Sequence, residues 1–390
     1  RTGGKILIDA LKVHGVERAF GVPGESFLAV LDALHDARAD IEFVICRQEG
    51  GAANMAEAYG KLTGRPGICF VTRGPGATNA AIGLHTAFQD STPLILFIGQ
   101  IDTEYTEREA FQEIDYRRMY GQMAKWVAQV DRPDRIPEMV SHAFHLAVSG
   151  RPGPVVLALP EDMQTAIATV ADTARYQRVA AHPGAADMQK LREMIAQAER
   201  PFVMLGGGGW DRQACADMQA FIEANHLPVA CSYRCQDLFD NRHPNYVGDV
   251  AVGMNPAIEQ RIRNADLLLA IGPRLGEWTT INYTLIDIPR PKQKFVHIHS
   301  GAEELGRVYQ GDLLVNAGMP EFAAAAKALQ PVAGRWAEST QAARADYEAW
   351  IKPVKTPGAL NMSEVVRYLK EHLPPEAIIT DGAGNFTLWI

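Results

Sequence analysis

The sequence predicts an α/β protein made of successive doubly wound parallel-sheet domains. Three observations carry that prediction. Short apolar runs alternate with helix-period segments along most of the 390 residues. Several runs, Leu94–Gly99 above all, are apolar throughout, as in a strand covered on both faces. Runs near the start of the chain end in Gly-rich turns that feed helices, the arrangement that places ligands at the carboxyl edge of an open sheet.

Taken in order, Thr2–His14 carries Ile6, Leu7, Ala10 and Leu11 at helical spacing. Ala19–Val22 reads as a strand ending in Pro23-Gly24, and Phe27, Val30, Leu31 and Leu34 mark a helix. Strands follow at Glu42–Cys46, Gly67–Thr72, Leu94–Gly99 and Pro154–Leu159. The helices between them are Gly50–Thr63, Ala77–Gln89 and Ile136–Ser149. Thr165–Pro183 has no strong period and reads as a linker. A second unit has helices at Asp187–Ala198, Arg212–Asn225 and Met319–Leu329, with strands at Pro201–Leu205, Leu267–Ile271, Lys294–His299 and Leu313–Asn316. Arg335–Ile351 reads as a helix before a Pro-rich linker. Asn361 and Glu364 resemble a capping box for a helix ending at His372. A strand at Ala377–Thr380 and the turn TDGAGN then suggest the opening of a third α/β domain. The expected domains are residues 1–170, residues 185–333, and a linker with the third domain's start at 334–390.

Composition excludes some functions. A net charge of −8 argues against nucleic-acid and anionic-membrane surfaces, and no apolar run reaches the length of a membrane span. The five scattered cysteines read as reduced core thiols and a cytoplasmic protein. Cys231 and Cys235 have no second pair to make a zinc site, and no metal ligands are assigned within the chain.

Two turns carry candidate chemistry. Glu49 directly follows a strand and precedes Gly50, Gly51, Ala52 and Ala53, which allow close approach of a ligand or another chain. A desolvated carboxylate there can hold or give a proton near neutral pH. The alternative is an acid favoured by the helix dipole. In Thr72-Arg73-Gly74-Pro75-Gly76-Ala77-Thr78-Asn79, two glycines bracket a proline before a helix whose N–H groups face the sheet edge. A plain strand-to-helix connection is the alternative there. In the second unit, Gly206–Gly209 after a strand invites a dinucleotide reading, but no clear acid ends the next strand.

Six stretches in order carry a family resemblance: GVPGES (Gly21–Ser26), RQEGGAANMAEAYGKLTGRPG (Arg47–Gly67), VTRGPGATN (Val71–Asn79), DSTPLILFIGQ (Asp90–Gln100), AFQEID (Ala110–Asp115) and SGRPGPVVLALPEDM (Ser149–Met163). Together they resemble the N-terminal domain of thiamine diphosphate-dependent enzymes of the acetolactate synthase type. LNMSEVV (Leu360–Val366) before IITDGAGN resembles the lead into that family's third domain.

The resemblance implies decarboxylation or carboligation of a 2-oxo acid on thiamine diphosphate. It implies that Glu49 hydrogen-bonds the aminopyrimidine ring and promotes the tautomer that removes the thiazolium C2 proton. Pro23, Gly24, Thr72, Pro75 and Asn79 would line the pyrimidine, and Phe111 and Gln112 would face the reacting centre. Mg²⁺ would hold the diphosphate through a Gly-Asp-Gly motif and an Asn of the third domain. Neither occurs here, since Asp381 belongs to that domain's first turn, so the chain is expected to be an inactive fragment alone. A homodimer or homotetramer is implied, with each site shared between subunits. The small-residue helix Gly50–Thr63 suits close helix contact between subunits or burial within one.

Three departures bear on ligands. The family's FAD-binding members end a central-domain strand with an Ile-Asp-Ile-Asp-like stretch. This chain has His297-Ile298-His299-Ser300, which puts FAD in doubt, and the two histidines read as strand and surface residues. Arg274 and Trp278 could contact a nucleotide or simply pack at the surface. Acetolactate synthases usually have small residues where Glu25 and Ser26 stand and a serine where Arg73 stands, so the substrate is open. A non-catalytic nucleotide-binding or scaffolding relative is the alternative function.

Overall fold

The structure is a computed structural model that describes residues 1–332, 334–380, 382, 384, 386 and 389. Elements are numbered in chain order. The N-terminal unit contains α1 (Gly3–Val13), β1 (Arg18–Gly21), α2 (Leu28–Asp36), β2 (Glu42–Ile45), α3 (Glu49–Thr63), β3 (Gly67–Val71) and α4 (Pro75–Asp90). It continues with β4 (Leu94–Gln100), α5 (Tyr116–Tyr120), β5 (Trp126–Gln129), α6 (Ile136–Val148), β6 (Pro154–Pro160) and α7 (Glu161–Thr165). The central unit contains α8 (Ala185–Gln197), β7 (Pro201–Leu205), α9 (Arg212–Asn225), β8 (Val229–Ser232), β9 (Tyr246–Val250) and α10 (Pro256–Asn264). It ends with β10 (Leu267–Ile271), β11 (Lys294–His299), β12 (Leu313–Asn316) and α11 (Met319–Lys327). Two further helices are α12 (Ala337–Trp350) and α13 (Met362–His372).

Both units are parallel six-stranded sheets with helices on two faces. The first has strand order β2-β1-β3-β4-β6-β5, the second β12-β11-β10-β7-β8-β9. The first order turns back between β1 and β3, and again where β5 lies outside β6 at the far edge; the second turns back between β10 and β7. At a reversal the two outgoing turns diverge onto opposite faces and leave a crevice at the carboxyl edge. The predicted Gly-rich turns sit at these reversals: Val22–Gly24 and Thr72–Gly76 in the first sheet, Gly206–Gly209 in the second. Strands β4 and β6 are buried at every position, which explains sequences apolar but for Gln100 at the end of β4.

The predicted histidines are a correction. His297 and His299 lie on β11 and are each only 3% exposed, because helices cover both faces of this interior strand. His297 Nε2 donates to the Pro273 carbonyl at 2.9 Å, and His299 Nδ1 accepts from the Gly301 N–H at 2.9 Å. The expected strand at Ala377–Thr380 is also absent. These residues are exposed, Ile378 at 90%, and no described strand pairs with them. Asn361 caps α13 by accepting from the Ser363 N–H at 3.0 Å, while Glu364 pairs with Arg367 instead of closing a capping box. Asp381 lies outside the described residues.

Helix α12 packs on β9 and α10: Tyr347 lies edge-on to Tyr246 at 5.3 Å and Asp346 pairs with Arg261. All five cysteines are free thiols. Burial pushes the Cys69 and Cys231 thiols well up from their ordinary value. No described helix is long and apolar enough to cross a membrane.

Candidate active site

The first crevice is assembled by helix ends. Glu49 is the first residue of α3, whose N-cap Gln48 accepts from the Gly51 N–H at 2.8 Å. Gly74 caps the start of α4 with φ of 59°, in the positive-φ region that favours glycine, and Pro75 presets the helix's first turn. The two helix starts lie side by side, so Asn79 Nδ2 donates to Glu49 Oε2 at 2.9 Å. Both helix dipoles favour a carboxylate at this point. A Cβ added to Gly76 would lie 3.3 Å from Glu49 Oε1 and 2.8 Å from Thr72 Cγ2. Gly76 therefore leaves the carboxylate room on its unpaired side.

The neighbouring turn closes the floor. A Cβ on Gly24 would meet the Thr72 side chain at 2.6 Å, so the turns after β1 and β3 are in contact. Ser26 Oγ and Thr72 Oγ1 lie 2.8 Å apart. Glu49, Gly76, Asn79, Thr72 and Gly24 thus form one cluster, with Pro23 and Pro75 exposed in its turns. Glu49 is half-buried and Asn79 exposed, leaving the cluster open. Phe111 and Gln112 belong to residues 101–115, between β4 and α5. Gln112 Cβ would lie 2.7 Å from a Cβ on Gly74, and Phe111 is 71% exposed.

Sequence reasoning missed the tyrosines that hold this turn. Tyr116 OH accepts from the Gly74 N–H at 3.0 Å, and Tyr120 OH donates to the Ala77 carbonyl. Burial pushes the Tyr116 hydroxyl up to about 12. Their signal is the spacing of four in YRRMY, which puts both on one face of a helix. Arg73 and Glu161, paired across the crevice, were not foreseen as partners.

The second crevice opens into a cleft between the units, with a volume near 1020 Å³. Gly207–Gly209, Arg274, Trp278 and Arg307 line it from the central unit, and Lys61 and Gln89 from the other. Gly207 lies so close to the Gly272 carbonyl that no side chain fits there. Arg274 does not merely pack at the surface. It pairs with Glu304 at 3.1 Å, while Trp278 stays 55% exposed. Behind the cleft, Glu304 is buried beneath three guanidiniums, those of Arg151, Arg274 and Arg307. Among the described residues, no group of three or more His, Cys, Asp or Glu side chains is placed to hold a metal ion.

The sequence matches two models of one family. Residues 1–119 match the thiamine pyrophosphate enzyme N-terminal TPP-binding domain, and residues 188–326 match the central domain of thiamine pyrophosphate enzymes. The chain belongs to the thiamine pyrophosphate enzymes. Its relatives include the acetolactate synthase isozyme 2 large subunit of Escherichia coli, 28% identical over 99% of this chain and 69% of that protein. The acetolactate synthase large subunit of Corynebacterium glutamicum is 29% identical, covering 100% of this chain and 63% of its own length. A probable acetolactate synthase large subunit of Methanocaldococcus jannaschii is 33% identical over 80% of this chain and 53% of its own. The chain thus spans between about half and 69% of these relatives.

The residues present fit one half of the cofactor of this family. Glu49 offers a carboxylate whose open oxygen faces a space that a Cβ on Gly76 would fill, suited to a flat, hydrogen-bonding ring. Among the described residues, no carboxylate, histidine or cysteine group is placed to hold the metal ion of the cofactor's diphosphate.

Proposed function

We propose that this chain supplies the pyrimidine-binding half of a thiamine diphosphate enzyme that decarboxylates or carboligates a 2-oxo acid, in the manner of acetolactate synthase. The observation that carries the reading is the Glu49 carboxylate, tied to Asn79 between two helix starts at the reversal of the first sheet. The bound cofactor supplies the electron sink. Glu49 holds and returns a proton at its open oxygen, and Asn79 orients the carboxylate by donating to the other. Pro23, Gly24, Thr72 and Pro75 flank the ring, with Gly76 keeping the space free. Phe111 and Gln112 cover the mouth and limit water. Mg²⁺ and the diphosphate are held by residues beyond those described.

Replacing Glu49 by Gln in the complete enzyme removes the proton-exchanging group with little change of shape. Exchange of the cofactor's C2 proton, followed by NMR, should slow by about a hundredfold or more. Exchange at the wild-type rate would refute the role of Glu49. A panel of glyoxylate, pyruvate and oxalyl thioesters, with Mg²⁺ and thiamine diphosphate added, identifies the substrate. If the complete protein binds thiamine diphosphate but turns over none, the non-catalytic reading takes its place.

Assembly is part of the same proposal. Ala52, Ala53 and Ala56 of α3 are buried within the chain, but Met55, Leu62 and Ile82 stand exposed on α3 and α4. That apolar face suits a homodimer or homotetramer, to be checked by sedimentation. Free thiols fit a cytoplasmic protein. The cleft at Gly206–Gly209 favours a second, nucleotide ligand: Arg274 and Arg307 offer charge and Trp278 an exposed ring. FAD is disfavoured because His299 stands where the flavin-binding pattern has an acid. Purified complete protein should show no flavin absorbance and gain no thermal stability from FAD.

A further inference from the structure

Two charged residues of the first crevice, Glu25 and Arg73, meet in the fold. Arg73 follows β3 and is only 8% exposed. Its Nη1 pairs with Glu161, the first residue of α7, and its Nη2 lies 3.5 Å from Glu25 Oε1. Its Nε donates to the Phe111 carbonyl at 3.1 Å, and its backbone N–H to Ser26 Oγ at 3.3 Å. One guanidinium therefore ties the turns after β1, β3 and β6 to the segment carrying Phe111.

That segment needs a tie. Glu107, Glu109 and Gln112 have φ of 63°, 53° and 66°, left-handed values that persist in non-glycine residues only where the surroundings hold them. Internally, the Glu113 carboxylate accepts from the N–H groups of Glu107 at 2.7 Å and Ala110 at 3.0 Å. Exposed Phe111 adds little burial of its own. From outside, Arg73 supplies the hydrogen bond that reaches the tip, beside the contact of Gln112 with Gly74.

We propose that Arg73 is a positioning residue, which with Glu161 and Glu25 fixes Phe111 and Gln112 over the mouth of the Glu49 site. The proposal rests on reading that site as the place where the 2-oxo acid reacts. Arg73 is not itself a substrate ligand, because Nε, Nη1 and Nη2 already face Phe111, Glu161 and Glu25. Its loss leaves Glu25 and Glu161 without the buried cation that paired with both.

Hydrogen exchange on the full chain tests this without any reaction. Arg73→Ser should speed exchange of the amides of residues 104–113 by about tenfold or more, with little change in the strands. Arg73→Lys keeps the charge but not the fork, and should recover part of the protection. Glu161→Gln should loosen the same residues, and the double variant Arg73→Ser with Glu161→Gln should add little, because both act through one clamp. Unchanged exchange in 104–113, or a rise spread over the whole N-terminal unit, overturns the proposal. If Arg73→Ser does not fold, Glu161→Gln decides alone by the same localised rise or its absence. In the complete enzyme, KM for the accepted 2-oxo acid should rise in Arg73→Ser while half-saturation by thiamine diphosphate stays put. An enzyme inactive on every 2-oxo acid would sink the proposed reaction, yet leave the exchange result standing.

Discussion

At the scale of single residues, space and desolvation set what each side chain does. Gly76 is glycine because a methyl group there would press on Thr72 and on Glu49 Oε1. Gly76→Ala should therefore weaken thiamine diphosphate binding to the complete enzyme by about tenfold or more, with a lowered melting temperature from the contact with Thr72. Calorimetric titration measures the binding, and unaltered affinity would mean the open oxygen of Glu49 does not face the ligand. Two buried histidines make a different prediction. Burial, reinforced by nearby His145 and Arg175, lowers His14 from 6.5 to about 4. Burial also lowers His297 from 6.5 to about 4, against its bond to Pro273. Between those values the unfolded chain takes up protons that the folded chain refuses. Stability from these two groups is complete above about pH 6.5 and falls as the pH drops towards about 4. Replacing both by Gln should shrink the drop in melting temperature between about pH 7.5 and about pH 5, and an undiminished drop would assign it to other groups.

At the scale of elements, α3 and α4 of the N-terminal unit pack backbone against backbone. A Cβ on Gly83 would lie 2.6 Å from Ala53 Cβ and 2.7 Å from its backbone carbon. Alanine is the better helix former, but the backbone cannot retreat. Gly83→Ala should therefore cost about 1–2 kcal/mol of stability in denaturant unfolding, overpacking outweighing propensity. A stabilised variant would show that α3 and α4 can separate at no cost. The same packing explains how elements were legible. Long apolar runs such as β4, and helices with clear caps such as α9 after Asp211, match their expected spans closely. The missed strands β5, β8 and β9 are short and end in or are broken by Gln, Ser, Gly or Asp, unlike the equally short but apolar β7 and β10. Helix α5 is short as well and was missed, and with it the tyrosines that hold the Gly74 turn.

At the scale of the molecule, the two units are joined by charge. Glu304 is buried beneath Arg151, which also donates to Ser91 Oγ at 2.9 Å, and Arg274, which donates to the Gln89 carbonyl at 3.3 Å. Burial lowers Arg151 to about 10, so it remains a cation at neutral pH. Glu304→Ala should leave these cations uncompensated and cost about 3 kcal/mol or more. Calorimetry should then show unfolding broader or more split than in the parent protein as the units uncouple. An unfolding profile as sharp as the parent's would mean that apolar contacts alone hold them. Since the 1020 Å³ cleft is walled by both units, its shape depends on this hub.

The sequence by itself determined the two parallel-sheet units, the turns that carry Glu49 and Asn79, and the family. Each rests on local pattern: period, turn residues and motifs a few residues long. Only the tertiary structure decided that Asn79 holds Glu49, that Glu25, Arg73 and Glu161 form one clamp, and that Arg151, Arg274 and Arg307 share Glu304. Those partners are separated by between 3 and 153 residues, as with Arg307 and Arg151 about Glu304. Most meet because strand order brings distant turns to one sheet edge or because the two units close on each other, and no local pattern encodes either.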